Sequence, residues 1–484
     1  MRFHIVIRYV ALALLLNSLF MSISCVISFF YSDKAFMVLL YSALVTALFG
    51  LFPLIFVPPT STITNKEGLL IVVLSWFLSC LVGTLPYILY GGPFTFTNAW
   101  FESVSGFTTT GSSILSDIEA LPYGLLFWRA STHWIGGIGI IIFVLSVLPF
   151  LGIAEIVLFR SEISLMVREN FHHRARRAIQ ILAGIYVSLT VLETIALLLC
   201  GMNLFEAITH SFATIATGGF SPKNASIAFY NSPVIEAVII VFMVLSGIHF
   251  ALLFTVVTGN GLDFFKSSVV RYYLIALFIG VCLVTINVYG TNFKSLWESF
   301  RYAAFNVISI GTSTGFTTTN TAIWPSLSQL LLIFFALQCA CAGSTSGGMK
   351  TDRIVLLGKE FFRHLKKLMH PNAIIPIRID RKVVRDELVS KSILYIDTYI
   401  LIIFISTLLL SILGVDILSA FSGTIATMGN VGPGLGLVGS TGNFNHIPEL
   451  GKWLLSITML LGRLEIYAFF IFFTPAQWRK TISY

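Results

Sequence analysis

Four segments of this chain share one pattern: AWFESVSGFTTTGS at 99–112, AITHSFATIATGGF at 207–220, AAFNVISIGTSTGF at 303–316 and AFSGTIATMGNVGP at 420–433. Each segment begins with Ala and carries Gly twelve residues later, at Gly111, Gly219, Gly315 and Gly432. Each is a half-length amphipathic stretch that continues into Gly, Thr, Ser or Asn. Because the same order recurs four times between apolar stretches, we interpret these segments as copies of an internal repeat.

The apolar stretches that follow the four segments repeat as well. In three copies a Pro precedes a Gly by fourteen residues: Pro122 and Gly136, Pro233 and Gly247, Pro448 and Gly462. In the third copy Pro325 has Cys339 at that spacing, and the first Gly is Gly343. The third copy is therefore expected to depart from the others at this point.

Charged residues are scarce: they make up 11% of the 484 residues, whereas a soluble globular protein carries about 25%. Apolar residues make up 56%. This composition excludes a soluble enzyme, a disordered protein and a disulfide-stapled secreted domain, and it argues against an outer-membrane barrel. It predicts an all-α polytopic membrane protein, because helices satisfy their own backbone polar groups in lipid. The net charge of +8 is attributed to cytoplasmic loops and not to a nucleic-acid partner.

Ten stretches are long enough to cross a bilayer, which needs about 20 helical residues. They lie near 8–31, 36–58, 69–91, 123–150, 178–201, 233–258, 270–290, 325–348, 392–413 and 450–474. The loops at 92–122, 202–232, 291–324 and 414–449 are longer than connectors and are predicted to re-enter the membrane. Basic residues cluster before the first span and at 160–177, 350–391 and 479–480. The positive-inside rule places these regions, and both termini, in the cytoplasm.

These features predict four parallel span–pore loop–span repeats in one chain, forming a pseudo-fourfold pore, with two extra N-terminal spans. The predicted boundaries are a two-span extension at 1–68 and repeats at 69–177, 178–269, 270–391 and 392–484. The third repeat includes an intramembrane loop and a basic cytoplasmic segment.

The turn after each half-helix is predicted to line the pore with backbone carbonyl groups. A helix C-terminus carries about half a negative charge, which favours a cation, and carbonyl oxygens can replace its hydration shell. Gly tolerates the backbone angles that such a turn needs. No carboxylate stands at the four Gly positions, and NVGPG at 430–434 matches the x-V-G-x-G pattern of potassium filters. The predicted filter consists of Thr109, Thr110, Gly111, Thr217, Gly218, Gly219, Ser313, Thr314, Gly315, Asn430, Val431 and Gly432.

Several distinct motifs occur in a recognisable order. They are ESVSGFTTTGSS at 102–113, HWIGGIG at 133–139, THSFATIATGGFS at 209–221, GTSTGFTTTN at 311–320, CAGSTSGGMK at 341–350, GNVGPGLG at 429–436 and GRLE at 462–465. With them the chain resembles, over essentially its whole length, the Trk/Ktr/HKT superfamily of potassium transporters. The two leading spans match its TrkH/TrkG type, the bacterial potassium-uptake subunit. Sodium-selective plant relatives have Ser at the first filter Gly, so Gly111 implies potassium.

The resemblance implies potassium uptake across the bacterial inner membrane, with potassium as permeant ion and no covalently bound cofactor. It implies potassium binding at Thr110, Gly111, Gly218, Gly219, Thr314, Gly315, Val431 and Gly432. It also implies a homodimer and a cytosolic nucleotide-binding regulatory ring of TrkA type. Membrane lipids are further expected partners, because the segment 350–391 is basic.

The segment AGSTSGG at 342–348 weakens the eighth span locally, since Gly costs about 1 kcal/mol relative to Ala in a helix. From the residues alone it is either a flexible loop that obstructs the pore or a small-residue packing surface. The resemblance favours a gate made of Gly343, Ser344, Thr345, Ser346, Gly347, Gly348 and Arg463. Arg463 either faces the pore and meets this loop or is neutralised by an acid such as Glu465 for packing.

Two other functions could be carried out by a polytopic membrane protein of this kind. A cation-coupled potassium symporter, moving potassium with sodium or protons, could use the same filter, although alternating access is typical of inverted repeats and these repeats are predicted to be parallel. An intramembrane enzyme is not expected, because the chain has no H-E-x-x-H motif or Cys/His cluster.

Overall fold

A computed structural model describes residues 2–58, 64–146, 171–257, 266–380, 382–464 and 466–473. The basic residues predicted at 160–170 and 479–480, and Glu465, lie outside the described residues. The described chain is mostly helical, and its two-residue strands β1 (Arg378–Ile379) and β2 (Lys382–Val383) form a hairpin. Short 3₁₀ turns lie at Ser226–Tyr230, Thr321–Ile323 and Gly436–Val438.

The N-terminal pair is an antiparallel hairpin outside the repeated units. It consists of α1 (Phe3–Phe30) and α2 (Phe36–Phe56), and α1 also packs on the first unit. The buried Asn17 Nδ2 donates to Ser79 Oγ at 2.8 Å, which joins this pair to the first unit. These two helices lie within the predicted two-span extension at 1–68, whose boundaries stay a prediction.

Four units follow, each with an outer helix, a short re-entrant helix and an inner segment. The first has α3 (Asn65–Gly83), α4 (Leu85–Tyr90), α5 (Phe96–Phe107) and α6 (Tyr123–Ser146). The second has α7 (Phe171–Leu199), α8 (Leu204–Ile215), α9 (Pro233–Ser246) and α10 (Phe250–Val257). The third has α11 (Ser268–Val288), α12 (Leu296–Gly311), α13 (Ser326–Gln338) and α14 (Thr351–Met369). The fourth has α15 (Asp386–Ile412), α16 (Ile417–Met428), α17 (Glu449–Arg463) and α18 (Ile466–Phe473).

Six described helices are long and apolar enough to cross a membrane: Phe3–Phe30, Phe36–Phe56, Lys66–Tyr90, Gln180–Leu199, Ser268–Val288 and Asp386–Ile412. Large apolar side chains on them face outward, such as Leu48 and Phe278, which are 67% and 68% exposed. An extensive exposed apolar surface of this kind marks contact with lipid. The chain is thus a multi-pass helical membrane protein.

Three inner segments differ from the single spans predicted for them. The segment predicted at 233–258 is two helices, α9 and α10, bent by 107° at Gly247–His249. The helix predicted at 325–348 ends at Gln338, and that predicted at 450–474 is interrupted after Arg463. The first break has a clear cause, because its backbone pairs elsewhere: Cys341 N–H donates to Gly247 O at 3.1 Å, and Phe250 N–H donates to Gly343 O at 3.2 Å.

Candidate functional site

The four re-entrant helices α5, α8, α12 and α16 all end four residues before the repeated Gly. Three of them begin with a side-chain cap, from Thr95, Asn203 and Asp416. The Ser419 N–H donates to Asp416 at 3.0 Å and lowers the pKa of that carboxyl. An ionised acid is favourable at the N-terminus of a helix, so the outer end of α16 is stabilised.

The C-terminal ends of these helices share one hydrogen-bond pattern. In the first, Thr109 N–H donates to Gly106 O at 3.0 Å and Thr110 N–H donates to Ser105 O at 2.9 Å. The equivalent donor pairs in the other three loops are Thr217 and Gly218, Ser313 and Thr314, and Asn430 and Val431. This is a Schellman motif, in which a left-handed residue caps the last turn. The pattern fixes the same chain reversal in all four loops.

Backbone angles repeat at the same positions of the four loops. The left-handed caps are Thr109, Thr217, Ser313 and Asn430, with φ between +52° and +58°. The Gly two residues later has φ of +82°, +80°, +83° and +99° in Gly111, Gly219, Gly315 and Gly432. Four loops with the same unusual angles at the same two positions are structural equivalents.

The four glycines close a ring. A Cβ added to Gly111 would lie under 3.0 Å from the carbonyl oxygen of Gly218 in the second loop. The same is true of Gly219 toward Thr314, Gly315 toward Val431, and Gly432 toward Thr110. Each loop therefore meets the next in chain order, and the fourth returns to the first. The predicted filter residues come together as one pseudo-fourfold ring.

Side chains strengthen the seam between the fourth and first loops. Asn430 Nδ2 donates to Thr110 Oγ1, and Ser112 Oγ donates to Gly432 O, both at 2.9 Å. All of these groups are uncharged. Among the described residues, no group of three or more His, Cys, Asp or Glu could hold a metal. What the ring offers is backbone carbonyl oxygen beside four helix C-termini, which suits a monovalent cation.

The Pro–Gly spacing also has a structural meaning. A Cβ on Gly136 would lie under 3.0 Å from Phe107 O, and one on Gly462 would lie under 3.0 Å from Met428 O. Phe107 and Met428 are the last residues of α5 and α16. These glycines let an inner helix approach the end of the re-entrant helix of its own unit.

The predicted gate residues lie against the ends of the other re-entrant helices. The segment 339–350, here called the intramembrane loop, connects α13 to α14. Ser346 Oγ lies 2.7 Å from Ser313 Oγ, and Gly347 N–H donates to Ser313 Oγ at 3.2 Å. Thr345 Oγ1 donates to Ile215 O, the last residue of α8, at 3.0 Å. The loop thus contacts the left-handed cap Ser313 and the end of α8 directly.

Arg463 joins the intramembrane loop to the first unit. Its guanidinium donates to Thr345 O and, at 3.0 Å, to Gly136 O. The residue is 2% exposed. The structure places Arg463 against the intramembrane loop, whereas Glu465 lies outside the described residues.

Several residues of the site were missed by sequence reasoning. Asp352 accepts the Ala342 N–H at 2.6 Å, and Lys350 donates to Ser346 O, so both hold the intramembrane loop. Glu102 and Arg129 form a buried ion pair behind the first predicted filter loop, at 2.7 Å. A charge within an apolar span was the available signal for Arg129, because such charges are costly and usually functional.

Comparison with known proteins gives a consistent result. Residues 42–480 match the family model of TrkH, described as a cation transport protein. The potassium uptake protein TrkH of Escherichia coli K12 is 37% identical over 99% of this chain and all of that protein, and TrkG of the same strain is 31% identical over 86% of each. The crystal structure of the potassium transporter TrkH from Vibrio parahaemolyticus superposes with a TM-score of 0.90 and 34% identity, covering 99% of this chain and all of that one.

Proposed function

Because the chain belongs to the TrkH family of cation transport proteins, we propose that it takes up potassium across the bacterial inner membrane through a gated filter lined by carbonyl groups. Potassium is the permeant ion, and its binding positions are the eight residues at and before the four ring glycines. The relatives are named potassium uptake proteins of the Trk system, which supports the choice of ion.

One observation carries this proposal: the four loops meet in a closed ring of carbonyl oxygens at Thr110, Gly218, Thr314 and Val431. A ring of this kind can replace the hydration shell of a potassium ion. Its closure in chain order supports four parallel repeats. Alternating access by inverted repeats has no support in this arrangement, so coupled symport is not favoured.

The intramembrane loop and Arg463 are proposed as the gate. The loop contacts Ser313 and Ile215 at the inner ends of two re-entrant helices, and Arg463 holds it at Thr345. Regulation would come from the cytoplasm, through a nucleotide-binding ring of TrkA type acting on a homodimer. The helix α14 begins at the end of this loop, so a force applied to α14 would reach the gate.

Reversal potentials test the proposal. We expect purified protein in liposomes, with potassium on one side and sodium on the other, to give a reversal potential near the equilibrium potential of potassium. Gly219→Ala should lower the potassium-to-sodium permeability ratio, because its Cβ would meet Thr314 O. Gly201→Ala is the matched control, since Gly201 has φ of +95° but open space around it. Equal sodium and potassium permeability, or no flux with and without the regulatory ring, would contradict the proposal.

A further inference from the structure

A buried ion pair lies behind the first two filter loops. Glu102 on α5 and Arg129 on α6 meet with 2.7 Å between Arg129 Nη2 and Glu102 Oε1, and a second bond of 2.8 Å from Arg129 Nε. The two side chains are 0% and 2% exposed. Two buried charges are costly to place in a protein interior unless further hydrogen bonds satisfy them. The other hydrogen-bond partners of Glu102 and Arg129 therefore show what the ion pair holds in place.

Glu102 holds the first filter loop from behind. It accepts the Ser113 hydroxyl at 3.0 Å and the Ile114 N–H at 3.1 Å. These residues stand two and three positions after Gly111. The carboxylate therefore fixes the part of the loop that leads away from the ring.

Arg129 reaches past Glu102 to the second filter loop. Its Nη1 donates to Ser221 O at 3.5 Å, and its guanidinium carbon lies 4.0 Å from the centre of the Phe220 ring. Its Nη2 also donates to Ser113 in the first loop at 3.3 Å. One side chain thus contacts the outward parts of two neighbouring loops.

A second residue of α6 supports the same loop. His133, one turn beyond Arg129, stacks on Phe220 with centroids 4.1 Å apart and an angle of 12°. Phe220 is therefore in contact with both the guanidinium and the imidazole. A Cβ on Gly218 would lie under 3.0 Å from the His133 ring. This face of α6 packs directly against a ring residue.

The position of Glu102 has a counterpart in the other repeats. Nine residues before the ring Gly stand Glu102, His210, Asn306 and Gly423. His210 Nε2 lies 3.0 Å from Ser221 Oγ, and Asn306 Nδ2 donates to Thr318 Oγ1 at 3.0 Å. In the fourth repeat the neighbouring Ser422 Oγ accepts the Leu435 N–H at 2.8 Å. Every loop is therefore hydrogen-bonded to its own re-entrant helix. In the first repeat this contact includes a buried ion pair.

We propose that Arg129, held in place by Glu102, is a positioning residue that fixes the first and second filter loops relative to each other and so maintains selection of potassium over sodium. A carbonyl ring distinguishes the two ions by the placement of its dipoles. The planar guanidinium can serve both loops at once, which an ammonium group cannot do in the same geometry. The inference rests on the proposed potassium function.

Two variants of the ion pair test this proposal. Glu102→Gln/Arg129→Gln removes both charges, so that no unpaired charge is left buried. Arg129→Lys keeps the positive charge but lacks the planar guanidinium group that contacts both loops. Glu236→Gln/Arg301→Gln is the control. That ion pair joins α9 to α12 with two bonds of 2.7 Å. Arg301 also donates to Asn231 Oδ1 at 3.1 Å, which lies outside the residues 217–223.

Two measurements are made on the full chain. Hydrogen–deuterium exchange of residues 217–223 in detergent reports the order of the second loop without requiring transport. We expect at least tenfold faster exchange there in both Arg129 variants and no change in the control. The potassium-to-sodium permeability ratio in liposomes is expected to fall about tenfold, equivalent to about 1.4 kcal/mol.

The outcomes separate the two proposals. Unchanged exchange in the Arg129 variants, or an equal change in the control, would overturn the positioning role. Faster exchange with an unchanged permeability ratio would overturn the role in selectivity. If the wild-type protein itself showed no potassium-selective current, the proposed function would fail, and exchange would still decide whether Arg129 positions the loop.

Discussion

Gly111, Gly219, Gly315 and Gly432 adopt positive φ values and also face the carbonyl oxygen of the next loop. The positive φ alone would allow Asn, at some cost in energy. The contact with the carbonyl oxygen leaves no room for any side chain. Thr109 and Thr217, by contrast, hold left-handed angles despite their branched side chains. Residues held in such angles cost about 1–3 kcal/mol each and cluster at functional sites.

Gly111→Ser tests the ring contact separately from the backbone angle. The added Cβ would press on Gly218 O, so the spacing of the first two loops should widen. We expect the potassium-to-sodium permeability ratio to fall about tenfold, measured by reversal potential. Gly290→Ser is the control, because Gly290 has φ of +77° with nothing within 4 Å. Equal ratios in both variants would show that the ring contact does not set selectivity.

Arg463→Gln tests the hold of Arg463 on the intramembrane loop. Loss of the bonds to Thr345 O and Gly136 O should free the loop, since a charged hydrogen bond contributes about 1.5–3 kcal/mol. Basal potassium flux without any regulatory protein should therefore rise several-fold in liposomes. Arg8→Gln is a matched control, because Arg8 donates to the backbone oxygen of Leu54 at 2.8 Å in the N-terminal hairpin. A flux that stays at the wild-type level would argue against a latch at Arg463.

The intramembrane loop and the break between α9 and α10 form one element of structure, although they belong to different repeats. The two segments exchange backbone hydrogen bonds through Cys341 and Phe250. Within the loop, Ser344, Thr345 and Ser346 are buried. A movement of the loop must therefore break contacts with the second repeat as well as with Ser313.

Gly347→Ala tests the position of the intramembrane loop beside the proposed filter. A Cβ there would lie 2.5 Å from Asn430 Oδ1 and 2.7 Å from Gly429 O. The loop cannot keep its place with that contact, so we expect a higher basal flux of potassium. Gly358→Ala, on α14 with open space around it, is the control. Wild-type flux in Gly347→Ala would contradict the gate assignment.

Sequence patterns predicted the four re-entrant helices and the ring Gly register, because these features are local and recur within each unit. They did not predict the break at Gly247–His249, since its cause lies in hydrogen bonds to residues about ninety positions away. The same reason hid the pairing of Glu102 with Arg129. Both residues were visible as charges in apolar surroundings, but the spacing of 27 residues between two helices carries no local signal.

Charged residues are distributed unevenly over the molecule. The ring is built of uncharged residues, and basic residues concentrate on the segment after the intramembrane loop. Along α14, Phe361, Phe362 and Leu368 are exposed beside Lys366 and Lys367. A helix with exposed apolar and basic residues suits a membrane surface with anionic lipids, which agrees with the proposed cytoplasmic location of α14.

Cysteine labelling tests the parallel arrangement of the repeats. Ser116 and His446 are exposed in the loops after the first and fourth filter segments, and Lys367 is exposed on α14. In right-side-out vesicles, Ser116→Cys and His446→Cys should both react with a membrane-impermeant maleimide, and Lys367→Cys should react only after permeabilisation. The wild-type chain, whose six free cysteines are buried or half-buried, gives the background. Inverted repeats would place the first and fourth loops on opposite sides. Protection of His446→Cys in intact vesicles would therefore exclude a single outer mouth and return the coupled symporter to consideration.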